Sequence, residues 1–169
     1  MSSESNHIGL YWAARQCSID EATEECLLVF SELIKAGFDR FFLKARSKSQ
    51  ALKNQLTLSR DVLAELLSKG RNRRDTDEAI IEDLGFSLSL WSGHDDEDET
   101  YALNIFVGSY SKFVGNCLVL DLPNSGPRSA KEHGERLSTL VAKLAEILQP
   151  ERIVTPFLDG PKLKAGSSV

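Results

Sequence analysis

Three observations predict an α+β fold, with a mainly antiparallel sheet packed against two or three helices. Phe86, Leu88 and Leu90 alternate with Ser87 and Ser89, and Tyr101, Leu103, Ile105 and Val107 alternate likewise, which is the period of strands with one wet face. Between the strand-like stretches lie amphipathic segments that open on capping residues. The 169 residues suit a single domain with a core of its own. One domain is expected over residues 1–157, followed by a polar tail, 158–169, with nothing to pack.

The elements follow in order. His7 to Ala14 is β-favouring and opens the fold as a strand. Ser18-Ile19-Asp20-Glu21 forms a capping box, and the helix after it sets Ile19, Ala22, Cys26, Val29, Phe30, Leu33 and Ile34 on one face. Gly37 supplies the left-handed position that ends this helix. Phe38 to Ala45 reads as a second strand, and Arg46 to Asn54 as a basic connection. Ser59 caps a helix to Lys69 that turns Val62, Leu63, Leu66 and Leu67 inward and stops at Gly70. Asp75 to Leu84 is expected to form a short helix with Ala79, Ile80 and Leu84 inside.

Two alternating strands then flank Ser92 to Thr100, so a long acidic hairpin loop joins them. A third strand, about 114–122, is reached through Gly108 to Gly115 and broken at Pro123-Asn124-Ser125-Gly126-Pro127. Ser129-Ala130-Lys131-Glu132 is a second capping box, opening a helix that buries Leu137, Leu140, Val141, Leu144, Ile147 and Leu148 until Pro150. Arg152 to Phe157 closes the fold as a short strand.

Composition narrows the class further. The eight Phe and modest Gly and Pro content exclude collagen-like and broadly disordered chains. No apolar run approaches the roughly 18 residues of a membrane helix. Cys17, Cys26 and Cys117 are odd in number and form no CxxC, so three reduced thiols in a cytoplasmic protein are expected. There is no phosphate-cradling glycine loop, nucleophile elbow, HExxH or paired Cys/His spacing, and His7, His94 and His133 are far apart. No catalytic residue, metal or cofactor is expected, and the chain reads as a non-enzyme.

The net charge of −5 is unevenly placed. Residues 35–74 carry eleven bases and three acids, whereas 75–99 carry ten acids and no Lys or Arg. The run Asp95-Asp96-Glu97-Asp98-Glu99 alone equals the whole excess. A calcium loop spreads its ligands over about 12 residues around a central Gly, and five consecutive acids at a hairpin tip do not converge in that way. Two readings remain for the run, a solvated loop and an electrostatic docking surface, and the mutual repulsion of five like charges favours a basic partner. Trp91 falls on the nominally wet face immediately before Ser92-Gly93-His94, where it reads equally as an interface anchor or as packing over the sheet. Trp91, His94, Asp95, Asp96, Glu97, Asp98 and Glu99 are therefore the candidate partner-binding residues.

The alternative is a nucleic-acid-binding or regulatory module built on the basic segment 40–74, where Phe41 and Phe42 interleave with Arg40 and Lys44. Against it stand the acidic balance of the domain and the absence of a recognisable nucleic-acid motif. Pairing with the protein's own acidic loop would use the same bases.

Three segments look familiar together: Gly9-Leu10-Tyr11-Trp12-Ala13-Ala14-Arg15, then the stretch from Ile81 through Leu90-Trp91-Ser92-Gly93, then Gly115-Asn116-Cys117 through Leu122-Pro123. They resemble the immunity proteins numbered fifty-two of bacterial polymorphic toxin systems, over about residues 8–157. The resemblance implies an α+β protein that binds and neutralises a cognate toxin encoded beside it. That toxin is typically a restriction-endonuclease-like nuclease delivered by a type VI or contact-dependent system. Trp12, Trp91, Gly93 and Asn116 match characteristic positions of that family, and the match assigns no role to Asp95–Glu99.

Overall fold

The computed structural model describes residues 6–43, 55–71, 73–93, 96–126 and 128–156, with the side chains of Glu97, Lys131 and Glu132 left out. Among these, strands β1 (His7–Trp12), β2 (Phe42–Leu43), β3 (Phe86–Trp91), β4 (Ala102–Val107), β5 (Asn116–Asp121) and β6 (Arg152–Val154) form one sheet in the order β2-β3-β4-β5-β1-β6. Every pairing is antiparallel. Helices α1 (Ile19–Lys35), α2 (Arg60–Lys69) and α3 (Ala130–Leu148) complete an α+β domain.

Alternation decides which face is covered. Ile8, Leu10, Leu88, Leu90, Leu103, Ile105, Leu118 and Leu120 are all buried in one cluster with the inner faces of the helices. Burial of one such side chain is worth about 1.5–3 kcal/mol. The register carries their neighbours to the other side: Ser87 faces Phe106, Ser89 faces Asn104, and Trp91 faces Ala102. None of these six belongs to the helix-covered core. On that side Ser89 donates its hydroxyl to the Asn104 carboxamide across the strands, at 2.6 Å.

Local signals set the helix ends. Ser18 Oγ accepts the Glu21 N–H at 3.1 Å while the Glu21 carboxylate accepts the Ser18 N–H at 2.9 Å, so the expected capping box is complete. At the far end Gly37 has φ +100°, and the Gly37 and Phe38 N–H groups return to the carbonyls of Ile34 and Leu33. Only this left-handed turn lets both carbonyls be satisfied, which is why glycine stands there. Ser59 Oγ accepts the Val62 N–H to start α2. Leu63 and Leu67 are buried on its inner side, with Val62 and Leu66 half-buried.

Several expectations change. Asp75 to Leu84 does not form a helix: Arg73 and Ile80 pair as an isolated bridge, Arg74 and Asp77 close the turn between them, and only Glu82–Leu84 makes a 3-10 turn. Five acids in ten residues and a Glu78 with φ +58° favour a tight turn over a helical run. The second strand is confined to Phe42–Leu43 among the described residues, because Phe38 and Phe41 are drawn into the core. Ile34, expected on the buried face of α1, is 48% exposed, since it falls one position past the stripe that ends at Leu33. Helix α3 is interrupted at His133 (φ −134°, ψ 41°). Ser129 donates its hydroxyl to the Gly126 carbonyl, and the Glu132 half of the second capping box lies outside the described side chains. The Arg46–Asn54 connection and the 158–169 tail lie outside the described residues.

One buried hydroxyl fixes how α1 hands the chain to β2. Tyr101, 1% exposed, donates to the Arg40 carbonyl at 3.0 Å and accepts the Arg40 N–H at 2.9 Å. Its ring meets Phe38 and Phe41 edge to face, with centroids 4.9 and 5.8 Å away. Burial pushes the phenol pKa up, so the hydroxyl stays protonated as this two-way bond requires. Tyr101→Phe leaves an N–H and a C=O unpaired and is expected to cost about 1–3 kcal/mol, read from the urea midpoint at constant slope.

Candidate protein-docking site

The β3–β4 hairpin is closed at its neck by Ser92. Its N–H donates to the Tyr101 carbonyl at 2.9 Å, and its hydroxyl accepts the Tyr101 N–H at 3.0 Å. Gly93 follows with φ +68°, a conformation an L side chain rarely adopts, and turns its carbonyl to the Arg40 guanidinium at 3.3 Å. Beyond it Glu97–Glu99 form a 3-10 turn. The Asp96 carboxylate accepts the Asp98 N–H at 2.9 Å, and the Asp96 carbonyl accepts the Glu99 N–H and the Thr100 hydroxyl, both at 3.1 Å. The Asp98 carbonyl accepts the N–H groups of Asn124 and Ser125 at 2.7 and 3.1 Å. The turn is thus fastened through its backbone to the connection between β5 and α3.

Fastening by the backbone leaves the side chains outward. Asp96 and Asp98 are exposed and Glu99 is half-buried. Among the described residues none of the three enters an ion pair. Trp91 stands at the same end of the sheet, opposite Phe42 and Ala102 on the face turned away from the helices. It is half-buried, and its indole Nε1 is buried without a hydrogen-bond partner. The structure therefore brings Trp91, Asp96, Asp98 and Glu99 to one end of β3 and β4. His94 and Asp95 lie outside the described residues, and of Glu97 only the backbone is placed.

The basic segment is used differently. Arg60 pairs with Glu24, Lys69 with Glu65, Arg71 with Glu82 and Arg74 with Asp77. Arg71 also lies over the Phe86 ring at 4.9 Å. Phe41 is buried in the core, and Phe42 is 5% exposed beneath the Arg40 guanidinium. Neither ring offers a stacking platform, and these bases face the protein's own carboxylates on α1, α2 and the 74–82 turn. None of the pairs reaches the acidic hairpin, so the expected internal pairing of the two runs is not seen among the described residues.

At the opposite end of β4 the structure gives Asn116 a role the sequence left open, and it displays an aromatic loop that sequence reading passed over. Asn116, 2% exposed, accepts the Ser109 N–H at 2.8 Å and donates to the carbonyls of Ser109 and Ala13, both at 3.0 Å. Asn116 is a structural pin for the loop between β4 and β5. Trp12, at 4% exposure, is core, so of the characteristic positions Trp91 alone faces the uncovered side of the sheet. Ser109 Oγ reaches the Val114 carbonyl at 2.6 Å and accepts the Ser111 N–H at 3.4 Å, while the Asp83 carbonyl accepts the N–H groups of Tyr110 and Ser111. The serines point in, and Tyr110, Phe113 and Val114 point out. The sequence signal was two aromatics outside the strand alternation between Gly108 and Gly115.

The profile of the family described as Immunity protein 52 matches residues 4–155. Among curated proteins none matches the chain. Among the described residues no three His, Cys, Asp or Glu side chains gather as metal ligands would, and no helix is long and apolar enough to cross a membrane.

The thiols sit in environments that oppose ionisation. Burial, then the Glu25 and Glu21 carboxylates, push Cys17 up to about 11, and burial with Glu25 pushes Cys26 to about 12. Cys117 is raised by burial alone. A raised pKa means less thiolate at any given pH, and the thiolate is the nucleophile. Iodoacetamide should therefore alkylate folded protein far more slowly than free cysteine at pH 7.5, with the Cys17 rate still climbing above pH 9. Mass spectrometry of the labelled protein checks this.

Proposed function

The chain belongs to the Immunity protein 52 family, and from that premise we propose that it binds a cognate nuclease toxin stoichiometrically and neutralises it in the cytoplasm of the producing cell. The toxin belongs to a type VI or contact-dependent polymorphic system. The acidic hairpin is the part of the surface that meets the nuclease.

One observation carries the reading. The Asp96–Glu99 turn presents carboxylates that no base of this protein neutralises among the described residues, on a backbone held in place by Asn124 and Ser125. A nuclease holds phosphates with cations, so a fixed group of carboxylates competes for the same surface. Complementary charge chiefly speeds encounter and rejects wrong partners. Speed is what an inhibitor of a lethal enzyme needs. Trp91 beside the turn supplies the aromatic contact that slows release, and His94, Asp95 and Glu97 extend the same patch in sequence.

The test pairs the purified protein with the toxin domain encoded by the neighbouring gene. Asp96→Lys with Asp98→Lys should lower the association rate at least about tenfold in low salt and flatten its dependence on ionic strength. The inhibited nuclease should titrate at a fixed molar ratio. An unchanged association rate would remove the acidic turn from the interface while leaving inhibition standing.

A further inference from the structure

We infer that the loop between β4 and β5 is a second toxin-docking element, with Phe113 as a preformed aromatic anchor for an apolar cavity on the toxin; this rests on the toxin-binding reading above. Phe113 is 93% exposed, the highest value among the described large hydrophobic residues, with Tyr110 at 39% and Val114 at 43% beside it.

The loop inverts the usual arrangement of a solvated turn. Its polar residues, Ser109 and Ser111, are buried, and its apolar ones face water. The buried hydroxyls and Asn116 satisfy the N–H groups of residues 109, 111 and 113, and the Asp83 carbonyl takes that of Tyr110. Polar groups thus hold the scaffold, and the aromatics are displayed without contributing to the core. A loop selected only for solubility would put the serines outside. An aromatic ring held in position by backbone bonds loses little conformational entropy on docking, which is what makes such a residue an anchor.

Shape and charge select the occupant. The exposed apolar part of the tip is three side chains, far less than the about 800 Å² per partner of a stable interface, so it belongs to a larger contact. Six residues of β4, about 20 Å at roughly 3.4 Å each, separate it from the acidic turn, and one partner of ordinary size spans both. Lys112 at the tip enters no ion pair among the described residues. The loop 108–115 itself carries one base, Lys112, and no acid, whereas the Asp96–Glu99 turn carries acids only. A toxin with a basic surface for the turn, and an apolar cavity rimmed by acceptors for Phe113 and Lys112, docks in one orientation.

Phe113→Ala and Phe113→Asp remove no packing in the free protein, so the melting temperature should not move. Against the neighbouring-gene toxin domain in a catalytically inactive form, each variant should dissociate at least about 30-fold faster with association little changed. That pattern is the reverse of the one expected for the acidic turn. Dissociation equal to wild type overturns the anchor and leaves the immunity reading intact. Wild-type protein that fails to bind this toxin overturns both. A wild-type dimer in sedimentation that Phe113→Asp converts to monomer, with toxin dissociation unchanged, assigns the tip to a second copy and overturns toxin docking.

Discussion

A six-stranded antiparallel sheet with its three described helices on one side must bury every second residue of its strands, and a slip of one residue would turn each leucine of β3, β4 and β5 out into water. That constraint fixes the register Phe86–Val107, Leu88–Ile105 and Leu90–Leu103 in one hairpin and Ile105–Leu118 and Leu103–Leu120 in the next. It also fixes what is left over. The face opposite the helices receives Trp91, Phe42, Asn104 and Phe106, and the two ends of β4 become the places where the chain can depart from the pattern.

Both departures are held by polar groups that the core itself protects. At one end Tyr101 closes on Arg40 and Ser92 closes the hairpin neck, so the acidic turn starts from a rigid base. At the other end Asn116 spends its carboxamide on Ser109 and Ala13. Burying these groups unpaired would cost about 1–3 kcal/mol each, so their hydrogen bonds act as geometric requirements. The consequence is that two loops of ordinary length project groups in fixed positions, carboxylates at one end and an aromatic tip at the other.

In the proposed toxin complex these two surfaces divide the work of recognition along a physical line. Exposed carboxylates act over a Debye length, about 8–10 Å in physiological salt, and so act before contact. An aromatic tip acts only after water is expelled around it, and so governs how long contact lasts. An inhibitor that meets its target once in a cell needs both. Among the described basic residues of the 40–74 segment, Arg60, Arg71 and Arg74 instead face carboxylates of their own domain.

Much of the fold was legible because its signals are local. The capping box at Ser18, the left-handed glycine at 37, the Ser59 cap and the alternation of β3 and β4 each act within a few residues, and the observed element order matches them. The Asp75–Leu84 helix failed because a short charged run is decided by its neighbours, here the pairing of Arg73 with Ile80. The sequence by itself determined the fold class, the acidic hairpin and the side of the sheet on which Trp91 lies, since period and charge are read along the chain. The tertiary structure alone decided that β1 sits between β5 and β6, that Asn116 is a pin, that Arg60 pairs with Glu24 of α1, and that Phe113 stands in water. The strand order, the Asn116–Ala13 bond and the Arg60–Glu24 pair depend on residues tens of positions apart meeting in space, and no local propensity encodes such a meeting.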